Sequence, residues 1–326
     1  MAYGTCNADV IGTSTANSNL GAGNATLMKN RLINGDMYVA QRATSATLTA
    51  GSTIAAGYAT VDRFYGYCTG ANVTMAQVAG AGNNRNLLQF TGAASVTAIG
   101  CGQRIEAVNS YDMAGSTATL SAYIANSLLT SVTWTAYYAT TTDTFGTLAS
   151  PTRTQIATGT FTVTSTLTQY NAQISIPAAA TTGIEIVFTV GAQISGTWQL
   201  GLVQLELGPN ATGYEYRQYQ QELALCQRYY QTISNANFIG SATTGLGGAV
   251  QFCVNMRTAP SFSASAALVI TNPGVADFTQ SSANASLGDG TTTAAQVGIG
   301  NFTGLTQSRP YILKSTGGIL LASAEL

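Results

Sequence analysis

Between Thr117 and Ile124 the chain alternates residue by residue, with Ala118, Leu120, Ala122 and Ile124 on one side and Thr117, Thr119, Ser121 and Tyr123 on the other. A period of two puts each set on its own face of an extended strand, one buried and one hydroxyl-covered and wet. The same pattern recurs at Val132, Trp134, Ala136 and Tyr138 against Thr133, Thr135 and Tyr137. It returns at Phe161, Val163 and Leu167 against Thr160, Thr162, Thr164 and Thr166, and Ile184, Ile186, Phe188 and Val190 mark a further strand. Residues 198 to 207 are apolar on both sides, as a central strand of a sandwich is. A single open sheet would leave its apolar face bare, so the chain is predicted to be all-β, a jelly-roll-like β-sandwich of two sheets.

The 326 residues suffice for about two domains. Only 8% of them are charged, against about 25% in an ordinary globular protein, so ion pairs contribute little in number. Twelve Lys plus Arg, scattered singly in a chain of net charge −1, form no basic stripe for a phosphate backbone, and nucleic acid is not expected as a partner. Histidine is absent, which removes the commonest general base and metal ligand and every Ser-His or Cys-His pair. No apolar run of about 18 residues predicts membrane insertion, and residues 1 to 30 lack a signal peptide's basic start and apolar middle. Cys6, Cys68, Cys101, Cys226 and Cys253 are odd in number and lack C-x-x-C spacing, so they read as free buried thiols.

Four segments are predicted: a small, polar docking arm (1–29), the jelly-roll sandwich (30–217), a connecting helix (218–234) and a smaller C-terminal β domain (235–326). The helix expectation rests on a run of helix formers without Gly or Pro. In it Tyr219, Leu223, Cys226, Tyr230 and Ile233 recur at spacings of four and three and share one helical face. Such a stripe packs a helix onto a neighbouring domain; the alternative is a seam between identical chains, for which two heptads are too few.

Candidate chemistry is sparse. Trp134 and Trp198 fall in the apolar alternation and are assigned to the core, whereas Tyr137, on the Thr-lined side, is a candidate sugar-stacking residue. Glu106 with Asp112, or Glu206 with Glu215, are the carboxylate pairs a glycosidase would need, yet most such carboxylates in a sandwich are strand-end or turn residues. Asp36, Asp62 and Asp112 suit turns better than a calcium site. Arg63, Arg104, Arg217 and Arg228 each neighbour an aromatic or acidic segment, so buried Arg–carboxylate or Arg–aromatic contacts that lock sandwich to helix are expected. The runs Gly245 to Gly248 and Gly298 to Gly300 lead into no Lys-bearing helix and carry no phosphate-loop signal. No cofactor is called for.

Several motifs carry a resemblance. Leu32-Ile33-Asn34-Gly35-Asp36-Met37 leading to Gln41-Arg42, Val61-Asp62-Arg63-Phe64, Gln103-Arg104-Ile105-Glu106 and the run Leu202 to Gly208 resemble the carbohydrate-binding-module-like jelly roll of tailed-bacteriophage tail fibres and related adhesion proteins. The hinge Tyr214-Glu215-Tyr216-Arg217 with Glu222 to Tyr230 is the most specific piece, and Met256-Arg257-Thr258-Ala259-Pro260 with the terminal Ser323-Ala324-Glu325-Leu326 resembles the distal domain. The resemblance implies a non-enzymatic virion component, a homotrimer docked to other virion proteins through its arm, whose distal domain attaches to a host-surface glycan or protein. On that basis Asn272, Asp277, Asn284, Asp289 and Asn301 are the expected receptor contacts. Tyr219, Leu223, Cys226, Arg228 and Tyr230 are expected to be structural. A capsid-decorating or head-fibre protein, a tailspike-type polysaccharide depolymerase and a free-standing lectin-like module are the alternatives.

Overall fold

The computed structural model describes residues 28–50 and 55–326. The first 27 residues of the predicted docking arm, and Cys6 with them, lie outside the described residues. The chain divides after Arg217 into two compact units, the second being Gln218–Glu325.

The first unit is a β-sandwich of two six-stranded antiparallel sheets. One sheet runs, in spatial order, β1 (Ser45–Leu48), β4 (Val73–Ala79), β5 (Asn86–Thr91), β12 (Thr197–Leu207), β7 (Thr117–Asn126) and β10 (Thr168–Ser175). The other runs β2 (Ala55–Gly57), β3 (Tyr65–Thr69), β6 (Ala98–Ile105), β11 (Ile184–Val190), β8 (Ser131–Ala139) and β9 (Arg153–Thr162). A one-turn helix, α1 (Ala107–Ser110), lies on the path from β6 to β7.

The alternation accounts for the core. Ala118, Leu120, Ala122 and Ile124 of β7, Val132, Trp134 and Ala136 of β8 and Ile184, Ile186 and Phe188 of β11 all point into it and are buried. Trp198 is fully enclosed and stacks on Phe90 with ring centres 5.0 Å apart. Burial of each large side chain is worth about 1.5–3 kcal/mol, so the few ion pairs are not what holds this unit.

Residues 32–37 are a structural loop. Asn34 adopts a left-handed backbone, its Oδ1 accepts from Val39 N at 2.9 Å, and its Nδ2 donates to Val39 O and Asp62 O at 2.8 and 3.0 Å. Asn tolerates that conformation because its short amide bonds locally. Gly35 O accepts from Val203 N at 2.9 Å, which lays the loop against β12.

The second unit begins with helix α2 (Tyr219–Gln227). A three-stranded sheet follows the order β13 (Tyr230–Ile233), β22 (Leu320–Ser323), β16 (Ser261–Ala264). A seven-stranded sheet follows β18 (Ala276–Thr279), β17 (Val269–Asn272), β21 (Pro310–Leu313), β14 (Asn237–Gly240), β15 (Leu246–Gln251), β20 (Ala294–Ile299), β19 (Ser286–Gly290). Phe238, Leu246, Val250, Ile270, Val297, Phe302 and Leu313 fill its core.

The helix is shorter than the stripe predicted. Tyr230 and Ile233 belong to β13, where they pair with Ser323 and Leu320. Aromatic and β-branched residues take a strand when a partner strand offers hydrogen bonds, and that partner comes from the far end of the chain. Of the remaining stripe, Tyr219 is 43% exposed, Leu223 is half-buried and only Cys226 is enclosed, so no five-residue helical face exists. Arg228 caps α2, and its carbonyl accepts from Arg257 N at 2.7 Å. Arg257 Nε and Nη2 in turn donate to Ala324 O and Glu325 O at 2.7 and 3.0 Å, so two of the motifs singled out above meet.

All four described cysteines are free; Cys68, Cys101 and Cys226 are buried, but Cys253 is exposed. Its position next to the end of β15 puts it at the surface, which its sequence neighbours did not reveal.

Candidate functional site

The hydroxyl-bearing face of β7 carries a groove. Tyr123 stands opposite Gln169 on β10 and opposite Gly201 on β12. Between Gly201 and Gln204 strand β12 holds one residue more than its partner, and at this bulge Leu202 adopts a left-handed backbone with φ +43°. Bulges re-aim side chains and bend a sheet, and a left-handed non-glycine persists only where its surroundings over-determine it. Here they do: Val203 N and O bond to Gly35 O and Asn30 Nδ2 at 2.9 and 3.0 Å instead of the neighbouring strand.

The second wall is the segment 211–216, clamped from behind. Glu206 Oε1 accepts from Thr212 N at 2.8 Å and Gln204 Nε2 at 2.9 Å, and its Oε2 accepts from Thr212 Oγ1 at 2.6 Å. Gln204 Oε1 accepts from Glu215 N, and Glu215 Oε2 from Asn30 N, at 2.9 and 2.7 Å. Arg217 Nη1 donates to Leu32 O at 3.2 Å. The Leu202 to Gly208 run and the hinge motif are therefore two halves of one clamp.

Between the walls lies a space of about 600 Å³, lined among others by Asn83, Tyr123, Gln169, Asn171, Tyr214 and Tyr216, and none of its lining residues is charged. Tyr214 and Tyr216 meet edge to face at 5.0 Å, and the half-exposed Tyr216 donates its hydroxyl to Asn83 O at 2.7 Å. Partial burial, then Tyr123 and Asp36, push the Tyr216 hydroxyl up from its ordinary pKa while Arg85 opposes them, so the phenol stays protonated. Flat aromatic faces beside amide donors and acceptors suit a ligand with apolar ring faces and a hydroxyl rim.

Sequence reasoning did not nominate these residues, although Tyr123 was visible on the hydroxyl side of its strand and the hinge tyrosines lay in a motif. It nominated Tyr137, whose ring lies 3.8 Å beneath the Arg153 guanidinium, so one face is already covered. Of the five candidates in the second unit, Asn284 and Asn301 come together around Gln280. Its Nε2 donates to Asn284 O and Gly300 O at 2.8 Å, while Asn301 Nδ2 donates to Ser282 Oγ at 2.9 Å. Asp277 on β18 and Asp289 on β19 stand on the two edge strands of the seven-stranded sheet. Asp277 is held by Lys314 Nζ at 2.6 Å, and Asn272 is 8% exposed.

The carboxylates nominated for hydrolysis hold the fold together instead. Glu206 and Glu215 are spent in the clamp, Glu106 is buried at the start of α1, and the half-exposed Asp112 pairs with Arg31. Asp62 Oδ1 accepts from Gln41 N at 3.0 Å, and Asp36 is buried. Among the described residues no three His, Cys, Asp or Glu side chains gather where a metal could sit. Arg63 donates to Arg104 O at 2.6 Å, and Arg104 pairs with Glu185 at 2.9 Å, a buried Arg–carboxylate contact.

No family model and no curated protein matches the chain. Among solved structures, one described as CBM4 structure and function is similar at 14% identity, covering 54% of this chain and 98% of that one, with a TM-score of 0.35. The C-terminal family 22 carbohydrate-binding module of Clostridium thermocellum Xyn10B is similar at 12%, covering 58% and 99%, with a TM-score of 0.33. The enzymatically active domain of bacteriophage CBA120 tailspike protein 4 is similar at 14%; the match covers 55% of this chain but 22% of that one, with a TM-score of 0.33.

Proposed function

We propose that this chain is a non-catalytic attachment component of a tailed-bacteriophage particle, and that it holds host-surface glycan in the sandwich groove. What supports this is the groove itself, in which three tyrosines and the amides of Asn83, Gln169 and Asn171 converge on an uncharged space. Polyol recognition needs flat rings and neutral donors and acceptors, and no carboxylate or amine side chain lines the groove. The proposal includes a homotrimeric assembly docked to the virion by residues 1–29, with the second unit as a further contact through Asn284 and Asn301. Weak grips multiplied over three copies give firm attachment, since linked sites raise avidity without new contacts.

The test is a glycan array probed with the full chain, alongside adsorption of particles to host cells. Tyr123→Ala and Tyr216→Ala should each weaken glycan binding about tenfold and slow adsorption, while host polysaccharide incubated with the wild-type chain releases no reducing sugar. Unchanged binding in both variants, or steady release of reducing ends, would overturn it.

A further inference from the structure

The opposite sheet bears a second aromatic surface, built differently. Tyr67 on β3 stands opposite Gly100 on β6, Gly100 opposite Thr189 on β11, and Thr189 opposite Thr133 on β8. A Cβ built on Gly100 would lie 2.2 Å from Cζ of Tyr67, so the phenol ring is laid across the glycine along the sheet instead of standing up from it. Only a residue without a side chain leaves that slot open. The ring is half-buried, and burial, opposed by Arg153, pushes its hydroxyl up to about 12, so the ring carries no charge near neutral pH.

Beside this plate lies an open depression of about 650 Å³, lined by Tyr67, Leu129, Thr69, Ser131, Thr133 and Thr189 among others, again without a charged residue. The charges nearest the plate satisfy one another: Glu185 is taken by Arg104, Arg153 and the Tyr65 hydroxyl. A flat ring edged by rotatable hydroxyls complements a sugar ring, whose C–H face stacks and whose hydroxyls both donate and accept. A phosphate or carboxylate would find the nearest cation, Arg153, already taken by Glu185, and a long apolar chain would leave the hydroxyls of Ser131, Thr133 and Thr189 without a ligand partner.

We infer that the Tyr67–Gly100 plate with its threonine rim is a second saccharide site, specific for uncharged sugar rings and separate from the groove on the other sheet. A chain with a site on each sheet face engages two glycan strands, or two points of one, and gains avidity within a single copy.

Saturation-transfer-difference NMR on the full chain carrying Tyr123→Ala and Tyr216→Ala, with cellobiose, maltose, lactose and chitobiose as probes, tests this independently of the groove. At least one disaccharide should receive saturation in that background. Adding Thr133→Lys, a substitution at a half-buried outward position, should weaken its binding about tenfold, whereas adding Tyr67→Phe should preserve it. A thermal melt confirms that the Thr133→Lys protein is folded. The inference fails if no disaccharide receives saturation in the groove-deficient background, or if Thr133→Lys leaves the transfer unchanged. Failure of the groove proposal shows separately, as equal binding by wild type and the groove-deficient chain.

Discussion

Arg104 and Glu185 stand directly opposite one another on β6 and β11, with Nε 2.9 Å from Oε1 and neither side chain exposed. The same carboxylate takes Arg153 and, at 2.7 Å, the Tyr65 hydroxyl, while the Arg104 guanidinium lies 5.2 Å over the Phe145 ring. In a chain with so few charges, this cluster gathers three of them, with Arg104 and Glu185 closed to water. Removing one partner strands the others, because a buried charge without a counter-charge keeps its full desolvation cost. Glu185→Ala should therefore lower unfolding stability by about 3–5 kcal/mol, read from urea denaturation. A loss below about 1 kcal/mol would mean that water reaches the arginines.

Gly35 is required for space. A Cβ there would come within 2.0 Å of the Val203 carbonyl oxygen, a backbone atom that cannot swing away. Gly35→Ala must push the 32–37 loop off β12, at a cost of about 3 kcal/mol, the upper end for overpacking. The melting temperature should fall accordingly, and the bulge that floors the groove should loosen with it.

Glu206 couples the clamp to the binding surface. Truncation to Ala leaves Thr212 N and Oγ1 and the Gln204 amide without their acceptor, and bonds to a charged group are worth about 1.5–3 kcal/mol each. Glu206→Ala should reduce both stability and glycan affinity, although the residue touches no ligand in the proposed groove. Loss of stability with affinity intact would show that segment 211–216 is not a working wall.

Stability should rise on mild acidification. Burial holds the Asp36 and Asp62 carboxyls above their ordinary 3.8, against the opposing pull of Arg85 on the first and Gln41 on the second. A raised folded pKa means the folded state binds protons more readily than the unfolded chain. The cost of keeping these groups ionised is thus present at neutral pH and relieved as pH falls through the raised values toward 3.8. Asp277 runs the other way: Lys314 and Thr271 hold its carboxyl low, and that contribution is lost only as pH falls below 3.8. Urea midpoints measured from pH 7 to pH 3 should pass through a maximum on the acid side of neutral. In Asp36→Asn plus Asp62→Asn the rise should flatten.

Thiol chemistry separates the cysteines. Of the four described, only Cys253 is exposed, whereas burial pushes the Cys101 thiol far above the usual range. Maleimide treatment of the native protein should modify Cys253 and spare Cys68, Cys101 and Cys226, with all of them reacting in urea. Peptide mass spectrometry gives the answer, and native labelling at Cys101 would contradict the packing of β6.

The two-residue alternation determined by itself that this chain is β, which side of β7, β8 and β11 is core, and that Trp134 and Trp198 are enclosed. Those properties depend on neighbours within one strand, where the pleat alone sorts side chains between faces. The motifs at residues 32–37 and 202–208 were visible, but their purpose was not, since a clamp exists only once β12, the hinge and the residue-30 segment are brought together. The end of the helix has the same origin: residues 230–233 follow helical spacing until β22, some ninety residues later, offers them a strand to pair with. Tertiary structure also decided the sites. Tyr123, Gln169 and Tyr216 share a groove, and Tyr67 lies across Gly100, because separate strands pair in one register and bulge at one place, which no local pattern encodes.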